Sequence, residues 1–64
     1  MKVKITKGAQ SHLFDASNLE EICLELAGGG FTSTQTMKAM TMRAQLQRGE
    51  AVVTRQFKVE LVEV

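Results

Sequence analysis

The sequence predicts a small α+β domain. A β-hairpin and a C-terminal strand form one antiparallel or mixed sheet, and two helices pack on one face of it, in the order ββααβ. Three stretches carry that prediction. "MKVKIT" at the N-terminus alternates apolar and polar residues, "LEEICLEL" repeats its apolar residues at helical spacing before three glycines, and "FKVELVEV" at the C-terminus alternates again.

In "MKVKITKG", Val3 and Ile5 fall on one side and Lys2, Lys4 and Thr6 on the other, the pattern of a half-buried strand. "KGAQ" supplies a glycine-containing turn, and "SHLF" returns as the second strand of a hairpin. The first helix follows. Ser17, three residues before Glu20, matches a capping box, and Glu20 and Glu21 put negative charge where the helix dipole favours it. Leu19, Ile22, Cys23 and Leu26 form one apolar stripe, and Gly28 to Gly30 end the helix.

Residues 34–48, "TQTMKAMTMRAQLQR", send two signals. Their composition favours a helix closed by Gly49, yet Met40, Met42, Ala44 and Leu46 also alternate as a strand would. Methionine, glutamine and alanine are poor strand formers, so helix is the expectation, with Ser33 or Thr34 as its N-cap. At ~100° per residue such a helix has two apolar faces: Met37, Met40 and Ala44 on one, Ala39, Met42 and Leu46 on the other. The tail reads as one extended segment, with Val53, Phe57, Val59 and Leu61 sharing a face. A run of this length implies a bulge or bend near Thr54 to Gln56.

Sixty-four residues make a single domain, 1–64, with a thin core. Such a domain needs a staple, tight packing or a partner. Cys23 is the sole cysteine, which excludes an internal disulfide, and one cysteine with one histidine falls short of a structural zinc site. Association or tight packing remains. The chain has no apolar run long enough to span a membrane, and its N-terminus lacks the apolar core of a signal peptide. With a lone thiol, a cytoplasmic location is expected. No cofactor is expected either.

The stretch "GGGFTSTQT" has the outline of a phosphate-cradling loop. It lacks the lysine of a P-loop, however, and it follows a helix where a P-loop follows a strand. A joint between helices accounts for every residue in it, with a small-anion or nucleotide site at Gly28 to Thr34 as the minor alternative. Cys23, His12 and Asp15 are the one set resembling a nucleophile, base and orienter. Cys23 belongs to the apolar stripe, so an inert core thiol is expected, and the chain is predicted not to be an enzyme.

A net charge of +1 gives no strong field toward nucleic acid. Lys2, Lys4 and Lys7 nonetheless cluster on the first strand, and Lys38, Arg43 and Arg48 lie along the second helix, so a DNA- or RNA-binding regulator is the principal alternative. The strand lysines also suit edge protection, and Phe14, Phe31 and Phe57 read as core residues, not a stacking platform. The methionine-rich helix points elsewhere. One of its apolar faces packs on the sheet, and the other, drawn from Met37, Ala39, Met40, Met42, Ala44 and Leu46, is left for a subunit or partner. The sequence therefore predicts a non-enzymatic regulatory or inhibitory protein that binds another protein, as a homodimer. Compact single domains of this size recur in bacteriophages and mobile elements.

Overall fold

The computed structural model describes residues 1–30 and 32–63. Two strands, β1 (Lys2–Lys7) and β2 (Gln10–Asp15), lead through a 3-10 turn at Ala16–Asn18 into α1 (Leu19–Leu26). After the glycines come α2 (Ser33–Gln47), β3 (Val52–Val53) and β4 (Lys58–Val62). All four strands pair antiparallel in one sheet of order β2-β1-β4-β3. The predicted α+β architecture holds, and the chain adds one short strand to the expected order.

The β1–β2 hairpin turns on Gly8 and Ala9. Gly8 sits at φ +61°, the first position of a II′ turn, where glycine carries no Cβ penalty. Pairing then runs without a bulge from Lys7↔Gln10 to Lys2↔Asp15. Val3 and Ile5 point into the core, where Ile5 lies opposite Val59 and Val3 opposite Leu61. Lys2, Lys4 and Thr6 project from the open face of the sheet. β1 is the second strand in and not an edge, so its lysines do not provide the edge protection their sequence suggests.

The bend expected at Thr54 to Gln56 is a full chain reversal. Thr54 N–H donates to the Phe57 carbonyl at 2.8 Å, while Thr54 Oγ1 accepts from the N–H groups of Gln56 (3.2 Å) and Phe57 (3.0 Å). The reversal folds β3 back on β4 and resets the alternation. Val52 therefore lies opposite Val59 in the core, and Val53, expected to face inward with Phe57, Val59 and Leu61, is 71% exposed.

The start of α1 also differs from the expected capping box. Asp15 Oδ1 accepts the Ser17 N–H at 3.0 Å, which winds residues 16–18 into the 3-10 turn and takes Ser17 away from the capping position. Glu20 and Glu21 do occupy the first turn, as the dipole favours. At the other end, Gly28 N–H bonds to the Glu25 carbonyl (3.1 Å) and Gly29 N–H to that of Leu24 (3.0 Å), the two bonds of a Schellman cap. Gly28 at φ +122° and Gly29 at φ +74° adopt backbone conformations that side chains disfavour.

Composition prevails over alternation in α2. Its N-cap is Thr32, one or two residues before the expected Ser33 or Thr34, with Thr32 Oγ1 accepting the Gln35 N–H at 3.2 Å. Gly49 at φ +83° closes the helix with a second Schellman pair, Gly49 to Leu46 and Glu50 to Gln45. α1 and α2 pack against each other and on one face of the sheet. Between them Leu19, Cys23, Ala39, Met42 and Leu46 meet Val3, Ile5, Val52 and Val59 to form the core.

Candidate interaction surfaces

α2 separates its two apolar faces cleanly. Ala39, Met42 and Leu46 lie under the helix, at most 8% exposed, and are core residues unavailable to a partner. Met37 (67%) and Met40 (64%) stand in solvent on the opposite face, with Ala44 also exposed. Of the six candidate interface residues, the fold thus leaves three at the surface. Alternation as a strand would have put Met40, Met42, Ala44 and Leu46 on one side. The helix divides them because its period is 3.6 and not 2.

Met37 also borders a groove of about 710 Å³ between α2 and the Thr54–Phe57 turn. Leu26, Met42, Val52 and Phe57 supply apolar wall, and Lys38 and Arg55 stand on the lining. Phe57, which closes the turn, is half-buried on the groove wall.

The six candidate nucleic-acid residues do not converge. Lys4 sits on the open sheet face between Leu13 and Glu60, and Lys2 between Asp15 and Val62. Lys7 belongs to the hairpin end, and Lys38 to the groove. Arg43 approaches Glu20 on α1 at 3.5 Å, and Arg48 Nε donates to Glu50 at 3.1 Å. That contact holds the Glu50 carboxyl below its usual pKa. Arg43 on α2 and Arg48 at its C-cap are therefore matched by acids. Phe14, expected in the core, is 45% exposed on β2, and Phe31 lies outside the described residues.

In the glycine joint Thr32 and Gln35 hold each other. Thr32 Oγ1 donates to Gln35 Oε1 at 3.1 Å while accepting from the Gln35 N–H. The Gln35 side chain lies over Gly28 and Gly30 so closely that a Cβ on Gly30 would collide with its Oε1. The glycines thus make room for a neighbour's side chain as well as turning the chain.

Cys23, His12 and Asp15 are not brought together as a catalytic set. Cys23 is 1% exposed in the core, and burial pushes its thiol pKa up, only partly offset by the nearby Arg43. His12 and Asp15 stand exposed on β2, and Asp15 is engaged in capping Ser17, which lowers its pKa. Among the described residues no group of three His, Cys, Asp or Glu side chains could hold a metal ion. No helix among them is long and apolar enough to cross a membrane.

Sequence reasoning missed the β2 edge. All six residues of β2 are exposed, Leu13 (53%) and Phe14 among them, with the His12 and Phe14 ring centroids 6.5 Å apart. The signal lay in "SHLFD", two adjacent apolar residues between polar ones, but which strand would form the edge depended on where the C-terminal strand inserted. The chain matches no protein-family model, and comparison with curated proteins and with solved structures gives no match.

Proposed function

We propose that this protein is a non-enzymatic regulatory or inhibitory module that acts by binding another protein, and that it self-associates through α2. The observation that carries this reading is the methionine face: Met37 and Met40, both about two-thirds exposed, on the side of α2 turned away from its own core. Methionine is flexible and polarizable, and suits adaptable contact surfaces. A stable interface buries roughly 800 Å² per partner, more than two methionines and an alanine supply. The contact in the dimer therefore extends from Met37 into the adjoining groove against Phe57. Pairing through α2 leaves the open sheet face and the β2 edge free for the regulated partner.

Light scattering across a concentration series tests the dimer. Met40→Glu and Met37→Glu are expected to give a folded monomer, because both side chains lie at the surface. Met42→Glu is unsuitable, since it would place a carboxylate in the core. A wild-type protein that stays monomeric at high concentration refutes the α2 dimer. Salt-sensitive binding to mixed-sequence DNA would replace the protein-binding reading with nucleic-acid regulation.

A further inference from the structure

The two edges of the sheet are unlike. β3 is two residues long and ends in a tight turn. β2 runs six residues in uninterrupted register with no proline, no lysine and no bulge, and its one carboxylate, Asp15, stands at its end. The Gly8–Ala9 loop makes Lys7 and Gln10 the bonded closing pair of the hairpin. By the alternation of an antiparallel ladder, Ser11, Leu13 and Asp15 then turn their N–H and C=O groups outward. Consistent with this, Thr6 and Ser11 form a close pair with their hydroxyls 3.1 Å apart.

Beside this edge, toward α1, lies a groove of about 260 Å³ lined by Phe14, Asp15, Asn18, Glu21, Ile22 and Glu25. It holds two apolar side chains, three carboxylates and no base. Glu21 and Glu25 have no ion-pair partner among the described residues. A second copy paired edge to edge about a two-fold axis would bring a second set of these carboxylates against the first. Like charges so placed are repulsive, so symmetry works against self-pairing here. A basic segment meets the opposite situation.

We infer that the β2 edge receives an extended segment of a partner protein, added as a fifth strand, whose side chains on the α1 side are an apolar residue and, at the next two alternate positions, lysine or arginine. The backbone of that segment bonds to Ser11, Leu13 and Asp15, its apolar residue lies against Phe14 and Ile22, and its cations meet Glu21 and Glu25. Alternate residues of a strand recur every ~6.7 Å, close to the ~6 Å rise between Glu21 and Glu25 on α1. The inference stands whether or not α2 dimerises.

The test is an NMR titration of the labelled protein with acetyl-TVTKTKT-amide, which puts its valine and both lysines on one face of a strand, at low ionic strength and alongside amide exchange. Saturable shifts at Ser11, Leu13, Asp15, Glu21 and Ile22, with slowed exchange at the first three, are expected below about 1 mM peptide. E21Q/E25Q should weaken binding about five- to tenfold without unfolding, as two exposed charge pairs would. N-methylating alternate peptide amides keeps the charge but removes the strand's donors, and should abolish the exchange protection. Absence of binding at 2 mM (roughly −3.7 kcal/mol of affinity), equal binding of acetyl-TVTETET-amide, or unchanged affinity after N-methylation overturns the inference. So does protection of the three amides that rises with protein concentration alone, which would assign the edge to a second copy.

Discussion

Leu46→Ala compared with Met40→Ala tests the division of α2 into a core face and an exposed face. Leu46 is 1% exposed and packed among core residues from both layers, while Met40 is 64% exposed. Truncating a buried leucine removes its transfer energy and leaves a cavity, together about 2–5 kcal/mol. A domain of this length holds roughly 3–10 kcal/mol in total, so Leu46→Ala removes a large share of it. Taking ~3 kcal/mol, and a shift of ~4–8 °C per kcal/mol for so small a domain, Tm should fall by about 12–24 °C. Met40→Ala exchanges one good helix former for a better one at the surface and should stay within about 0.5 kcal/mol. With neither tryptophan nor tyrosine in the chain, the unfolding is followed by far-UV circular dichroism in urea and on heating. Dilute protein keeps any association through Met40 out of the comparison. Equal losses for the two variants would refute the helical division, since only a strand places residues 40 and 46 on one side.

Three further outcomes follow from the helix caps and turns. Gly49→Ala forces a side chain into φ +83° at the end of α2 and should cost about 1 kcal/mol, with nothing in the surroundings to clash; an unchanged urea midpoint would contradict the cap. Thr32→Ala removes the α2 N-cap and should cost about 1 kcal/mol, whereas Ser33→Ala and Thr34→Ala should not. The Ser17 N–H holds the Asp15 carboxyl of the folded chain below the ordinary aspartate range. Its stabilisation is therefore present above the ordinary, unfolded-chain value and is lost as pH falls through the lower folded value. Asp15→Ala should be less stable than wild type at neutral pH, and the gap should close in acid; a pH-independent gap would sink the assignment.

Local physics alone determined much of this protein. Alternation in β1 put Val3 and Ile5 inside, the stripe and glycines of α1 set its face and its end, and composition outweighed a false strand period in α2. These features depend on neighbours within a few residues, where backbone sterics and hydrogen bonding decide the outcome. Elsewhere, contacts between distant residues decided. The tail carried a bend signal, but only pairing of β3 with β4 exchanged Val53 for Val52 in the core, because reversing a strand resets which side chains face inward. The sequence showed that α2 has two apolar faces and could not say which one the sheet would cover. Insertion of β4 beside β1 took the lysines off the edge and left Leu13 and Phe14 on it, since an edge exists only once the strand order is set. The candidate surfaces of this protein are what its packing left uncovered, and packing is a property of the whole chain.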